Sequence, residues 1–228
     1  MRRPIKTRKD LDISSNHFLR RNPGYPLGVT LTELDYLRGW KDDFLGDFLA
    51  DQYSTVVTGA GAAALVGGAH GGIYGVSANA GIGNAVHLWL GDAVDGHTTL
   101  DADEGWVQLI YWWGDYALCG AQFGVTDAAY NNFILCGAEN AANWVVRTRT
   151  GGGGISTGDS GIAADGSPHW MACVASTGRV DLFIDGSLAV TAIANVPVAV
   201  LTPLVFVYNY SAIAAKTRYI DYWAVIPR

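Results

Sequence analysis

Chemistry on a protein surface starts with carboxylates, imidazoles, thiols and hydroxyls held at workable spacing. The densest acidic cluster is Asp101-Ala102-Asp103-Glu104. Glycoside hydrolysis needs two carboxylates flanking the scissile bond, about 5–5.5 Å apart in retaining enzymes. On a strand the adjacent residues Asp103 and Glu104 face opposite ways, so this cluster reads as an acidic loop ahead of a strand. Glu139 stands without a second carboxylate at useful sequence spacing. His17, His70, His87, His97 and His169 form no pair at metal-ligand spacing, and no Gly-x-Ser-x-Gly elbow occurs. Gly151-Gly152-Gly153-Gly154 lacks the Lys-Ser/Thr ending of a phosphate-binding loop and reads as a hairpin tip. The three cysteines, Cys119, Cys136 and Cys173, each sit in an apolar run. Their odd number and spacing fit buried free thiols of a reducing compartment better than a disulfide framework.

The elements that must position these groups are strands. Half of the 228 residues are hydrophobic, 16% are charged and 29 are glycine, so short apolar runs alternate with Gly-rich turns. Trp106-Val107-Gln108-Leu109-Ile110-Tyr111-Trp112-Trp113 puts Trp106, Gln108, Ile110 and Trp112 on one face and Val107, Leu109, Tyr111 and Trp113 on the other. Neither face is polar, which predicts a strand covered on both sides. Further strands are expected over 116–126, 132–138 and 143–150. The apolar stretch 192–208 contains Asn195, Pro197, Thr202 and Pro203, so two strands are predicted there in place of a membrane span. No apolar run follows Met1-Arg2-Arg3, and no secretory leader is expected.

Charge divides the chain in two. Residues 1–41 hold nine Lys/Arg against four Asp/Glu, a net of +5, while residues 42–228 hold six against 17, a net of −11. The first segment reads as a basic arm broken by Pro4, Pro23 and Pro26. A short helix is expected near 30–38, opened by the capping box Thr30-Leu31-Thr32-Glu33 and closed by Gly39. Its apolar stripe, Leu31, Leu34 and Leu37, needs a surface to pack on. Arg2, Arg3, Lys6, Arg8, Lys9, Arg20 and Arg21, with those leucines, are the candidate partner-binding residues. The basic residues lack interleaved aromatics, so a protein partner is expected ahead of nucleic acid.

The most specific passage is His169-Trp170-Met171-Ala172-Cys173-Val174, then Ser176-Thr177-Gly178, then Arg179 to Leu188 with Asp185-Gly186 inside it. It reads as a strand, a tight turn, a second strand and a two-residue Asp-Gly hairpin into a third. This passage resembles the laminin-G/concanavalin-A-like superfamily, in which a Trp-led strand, a polar turn and a strand ending Phe/Tyr-Ile/Val-Asp-Gly recur. Tyr219 to Ile226 is similar to that superfamily's last strand. Asp42-Asp43-Phe44 and Phe123-Gly124-Val125-Thr126-Asp127 are similar to versions found in tailed-phage virion proteins.

The resemblance covers roughly residues 42–228 and implies an all-β, two-sheet antiparallel jelly-roll sandwich behind the arm. Such a fold hosts lectins, glycosidases and structural modules. Retaining glucanases of this fold carry Glu-x-Asp-x-x-Glu on one strand, and that pattern is absent here. The expectation is therefore a non-enzymatic virion structural protein, a capsid-associated or decoration subunit. Its arm would join it to capsid or other virion proteins in a homo-oligomer or larger assembly formed in the host cytoplasm, with no membrane contact. A carbohydrate-binding module of a tail fibre or receptor-binding protein is the alternative, and a glycoside hydrolase the third. No cofactor is expected; the resemblance offers calcium as the one candidate, with Asp92, Asp95, Asp101 and Asp103 as its candidate ligands in a rim loop. Trp112, Trp113 and Trp144 are the candidate glycan-stacking residues.

Overall fold

The structure is a computed structural model that describes residues 40–42, 53–65, 74–90, 100–101, 104–140 and 142–227. The sixteen described strands, in chain order, are β1 (Trp40–Asp42), β2 (Tyr53–Thr58), β3 (Gly61–Leu65), β4 (Tyr74–Ala78), β5 (Ala85–Leu90), β6 (Leu100–Asp101), β7 (Trp106–Gly114), β8 (Cys119–Thr126), β9 (Phe133–Glu139), β10 (Asn143–Arg149), β11 (Ser156–Ala163), β12 (His169–Ser176), β13 (Arg179–Ile184), β14 (Ser187–Ala192), β15 (Val200–Asn209) and β16 (Lys216–Pro227).

They form two antiparallel sheets. The first runs β14-β13-β12-β7-β16-β4-β3, with β1 on β16; the second runs β11-β10-β9-β8-β15-β5-β2, with β6 on β15. Both sheets cross between elements far apart in sequence, as a jelly roll requires, and the all-β expectation holds. The sheet already includes Trp40, which pairs with Val225. The expected helix near 30–38 lies outside the described residues.

Local sequence explains the hairpins. Asp185 and Gly186 have φ of +48° and +83°, the two positive angles of a two-residue turn, and Ile184 pairs with Ser187 across it. Gly178 (φ +68°) closes the β12–β13 turn, and Gly151 and Gly152 (φ +58° and +71°) turn β10 into β11 as the tetraglycine predicted.

Alternation along β7 places Trp106, Ile110 and Trp112 between the sheets, where they meet Phe123, Ile134, Trp144, Val205 and Trp223. Val107 and Leu109 belong to a second buried cluster on the outward face of the first sheet, with Tyr222, Ala224 and Ile226. The strand is covered on both sides, as its lack of a polar face predicted. Each fully buried side chain of this size contributes roughly 1.5–3 kcal/mol. β16 serves both layers because a bulge between Ile220 and Tyr222 reverses its parity. Arg218 and Ile220 point inward before the bulge, Trp223 and Val225 after it.

Two polar side chains sit inside this core. The Gln108 amide, oriented with its oxygen toward Trp223 Nε1 (2.7 Å) and its nitrogen toward the Gly124 carbonyl (3.1 Å), ties the two sheets together. Arg218 is fully buried, its guanidinium 4.8 Å from the Trp112 ring and 5.7 Å from the Trp144 ring. Cys119, Cys136 and Cys173 are buried free thiols.

Candidate functional site

The second sheet carries its chemistry on the face turned away from the core. Ile134, Cys136 and Ala138 of β9 belong to the inter-sheet cluster, so Phe133, Leu135, Gly137 and Glu139 face out. On β10, Trp144, Val146 and Thr148 are fully buried, and Val145, Arg147 and Arg149 alternate with them. Asp159 pairs with Val145 and Thr157 with Arg147, so both β11 residues share that outward face. Tyr208 pairs with Gly120, which pairs in turn with Glu139. Register, not proximity in sequence, therefore gathers Glu139, Arg147, Thr157, Asp159 and the tyrosines at the end of β15.

Glu139 is held from two sides. Its Oε1 accepts the Tyr210 hydroxyl at 2.6 Å, and its Oε2 lies 2.7 Å from Arg147 Nη1. Burial, then the hydrogen bond to Glu139, pushes the Tyr210 phenol upward, so it stays protonated as the donor. The Tyr208 and Tyr210 rings lie 4.7 Å apart. Across the groove, Asp159 Oδ1 accepts the Gly161 N–H at 2.7 Å and the Asn143 amide at 2.9 Å. The backbone bond, then the amide, holds this exposed carboxyl below its usual range, so it is ionised at neutral pH. Glu139, Asn140, Val145, Thr157, Asp159 and Tyr210 line an open groove of about 420 Å³. Its walls offer carboxylate acceptors, an amide, a hydroxyl and an aromatic face.

The same outward face also carries an apolar and aromatic patch. Trp89, Phe133, Leu135 and Leu204 form a buried cluster flanked by Tyr130 and Phe206. His87 Nδ1 and the Tyr130 hydroxyl are 2.6 Å apart, and burial lowers His87 to about 4, so the ring is neutral. At the mouth of the first sheet, His169 sits between two carboxylates, Asp185 (2.7 Å at Nδ1) and Asp165 (3.0 Å at Nε2).

The expected glycan platform needs correction. Trp112 and Trp144 are sealed in the core at 0% and 1% exposure, so neither ring can stack on a sugar. The indole N–H of Trp112 points at Met171 Sδ, 3.3 Å away. Trp113, on the outward face of the first sheet, is half-buried and stacks on Tyr219 at 5.7 Å. Parity along β7 decides this split, since 112 and 113 cannot face the same way. Of the calcium candidates, Asp101 is exposed at the end of β6, opposite Val200; Asp92, Asp95 and Asp103 lie outside the described residues. Among the described residues no group of three or more His, Cys, Asp and Glu is arranged to hold a metal ion. The arm residues Arg2, Arg3, Lys6, Arg8, Lys9, Arg20, Arg21, Leu31, Leu34 and Leu37 also lie outside them. Sequence reasoning named Glu139 but missed Arg147, Asp159 and Tyr210. Parity along the expected strand 143–150 was available for Arg147; Asp159 and Tyr210 lie outside the expected strands, and nothing in the sequence sets β9, β10, β11 and the end of β15 side by side.

No family model matches this chain, and no curated protein does. Solved structures do. A native glycosidic hydrolase covers 88% of this chain with 99% of its own, at 10% identity and a TM-score of 0.62. The β-glucanase of Bacillus licheniformis covers 83% with 98% of its own, at 11% identity and a TM-score of 0.60. The carbohydrate recognition domain of Emp47p covers 83% with 95% of its own, at 12% identity and a TM-score of 0.57. The fold is the concanavalin A-like jelly roll. At these identities the likeness shows the fold and no more. It nevertheless overturns the expectation that the chain is not an enzyme. The matching structures include glucanases and a glycosidic hydrolase along nearly their whole lengths, so a missing Glu-x-Asp-x-x-Glu pattern is no ground for excluding activity. None of these likenesses carries a virion role, and that expectation rests on the sequence alone.

Proposed function

We propose that this protein recognises carbohydrate in the groove between Glu139, Asp159 and Tyr210. One observation carries the reading: two carboxylates, an amide, a hydroxyl and an aromatic ring line a single open groove of about 420 Å³ on a sandwich face. Sugar hydroxyls donate well to ionised carboxylates, and sugar C–H faces pack on an aromatic ring. Glu139 is oriented in advance by Arg147 and Tyr210, and Asp159 by Gly161 and Asn143, so little side-chain order remains to be lost on binding. The glucanases and the carbohydrate recognition domain of the same fold support the ligand class.

Glycoside hydrolysis is the second reading, favoured by two carboxylates lining one groove. In it Asp159, kept ionised, is the base or nucleophile. Glu139 takes the acid role once its pair with Arg147 opens and its carboxyl has taken up a proton from solvent to pass to the leaving oxygen.

The test is calorimetric titration with a panel of soluble β-glucan, galactan and amino-sugar oligosaccharides, with reducing-end release followed in the same samples. At least one oligosaccharide should bind, and Glu139→Gln should weaken it by about tenfold or more, the worth of a charge-assisted hydrogen bond. Reducing ends that appear with the native chain and vanish with Asp159→Asn would establish the hydrolytic form. A panel with no binder, or binding indifferent to both substitutions, sinks the reading.

A further inference from the structure

The end of the sandwich beside the groove is built from three loops that bond to one another. The Gly81 N–H donates to the Ser211 carbonyl at 3.0 Å, Gly83 N–H to Asn209 at 3.0 Å, and Tyr210 N–H to Leu118 at 3.0 Å. The Asn209 side chain locks the set, donating to the Asn79 and Ala214 carbonyls at 2.8 and 2.7 Å. These loops are firm, and each presents one aliphatic side chain to solvent. Ile213 is 92% exposed, Ile82 70% and Leu118 49%. Leu118 does so from a φ of +51°, an unfavourable angle for a bulky residue. No charged residue occurs in 79–84, 117–119 or 209–215, in a chain where 16% of residues are charged. Large aliphatics held this far into water, on loops cross-bonded to one another, mark a contact surface.

The geometry points to the surface of a lipid layer that displays the glycan bound next door. This inference rests on the carbohydrate reading and names its ligand class, a membrane-anchored glycan. Two observations choose this occupant. Three side-chain tips bury far less than the roughly 800 Å² per partner that a stable protein interface needs, so they suit an accessory contact. The tips are also continuous with the groove: Tyr210 lines it, and Ile213 follows three residues later on the same loop. A sugar held at Glu139 and Asp159 with its lipid anchor running past Tyr210 brings the layer to Ile213, Ile82 and Leu118. Weak insertion of a few aliphatic groups becomes useful when a second attachment holds the protein at the surface.

The probe is a set of phosphatidylcholine vesicles, each displaying one oligosaccharide of the soluble panel coupled to phosphatidylethanolamine, with phosphatidylcholine vesicles alone as control. Binding is followed by co-sedimentation and by the free oligosaccharides in parallel. The lipid-linked form of a bound sugar should bind at least tenfold more tightly than the free form. The Ile82→Ser/Ile213→Ser variant should lose that advantage while keeping the free-sugar affinity. Leu118→Asn, which suits a positive φ, should lose part of it. Equal affinity for free and lipid-linked sugar, or no effect of the double variant, overturns the inference while leaving the carbohydrate reading intact. If no sugar binds in either form, the carbohydrate reading fails; loss of plain-vesicle binding in the double variant would then still assign the tips to lipid. Concentration-dependent dimerisation abolished by the same variant assigns the tips to a second copy and overturns the inference.

Discussion

Replacing Asp185 by Asn isolates one charge at the mouth of the first sheet. Asp185 occupies the first position of the β13–β14 turn with φ +48°, an angle that Asn tolerates, and an amide of the same size can still accept the Trp170 N–H now 3.0 Å from Oδ1. What is lost is the carboxylate 2.7 Å from His169 Nδ1. Burial works against the charged imidazole, but the hydrogen bonds and charges of Asp185 and Asp165 outweigh it, so His169 is raised above its ordinary value. The sign of the pH dependence follows. A raised histidine contributes stability that is complete below its unfolded value near 6.5 and disappears as pH climbs through the folded value. Both carboxylates are about half exposed, which screens the pair and limits its worth to about 1 kcal/mol. At pH 5.5 the Asp185→Asn variant should therefore unfold with about 1 kcal/mol less stability than the native chain, a fall of roughly 2–4 °C in Tm. At pH 8.5 the gap should be narrower, because the imidazole loses its proton as pH rises through its folded value. Urea unfolding at the two pH values measures the gap, and the His169 resonance in the native chain should titrate above 6.5 and shift down in the variant. A gap that is constant with pH, or wider at pH 8.5, would show that Asp185 acts through the turn alone and that the imidazole is not clamped as a cation.

Two further substitutions probe the sheets that frame the groove. Gly137→Ala should cost more than about 2 kcal/mol, because the added Cβ would lie 2.2 Å from the Ala121 carbonyl oxygen at a φ of +148°; a urea midpoint within error of the native chain would contradict this. Arg218→Met should be neutral or stabilising. Burial lowers this guanidinium to about 10, one Nη1 bond to the Gly114 carbonyl is long at 3.3 Å, and Nε and Nη2 have no partner, so an apolar side chain of similar length removes more cost than cation–π attraction. A loss above about 2 kcal/mol by the same assay would mean that the two indoles hold the cation more tightly than its desolvation opposes it.

Parity and turn chemistry account for what could be read from the chain before folding. Trp106 to Trp113 has no polar face, and the structure buries both of its faces because each packs in a different cluster. Asp185-Gly186 could only be a tight turn, and its two positive φ angles set the β13–β14 register. The same rule, applied one step further, would have withdrawn two tryptophans as sugar platforms. Once Trp106 faces the core, Trp112 must follow it, and Trp144 goes inward with Val146 and Thr148.

The groove belongs to a different level of description. Glu139 meets Arg147 diagonally across the β9–β10 hairpin: Arg147 pairs with Leu135, and its long side chain reaches along the sheet to Glu139. Tyr210 arrives from 71 residues away because β15 leaves its neighbours in sequence and inserts between β8 and β5. No pattern within any single strand encodes that insertion. It is a consequence of closing two apolar sheet faces on each other with right-handed twist and unbroken ladders, a condition that only the whole chain can meet. A carboxylate that looks isolated in sequence is thus weak grounds for denying a site in an antiparallel sandwich. Neighbours on a sheet face come from adjacent strands, and adjacent strands in a jelly roll are routinely distant in the chain. Asp159 shows the same logic from the other side. It shares a face of β11 with Thr157, but it is the opposite wall of a groove only because β11 pairs with β10 at Val145, two residues before Arg147.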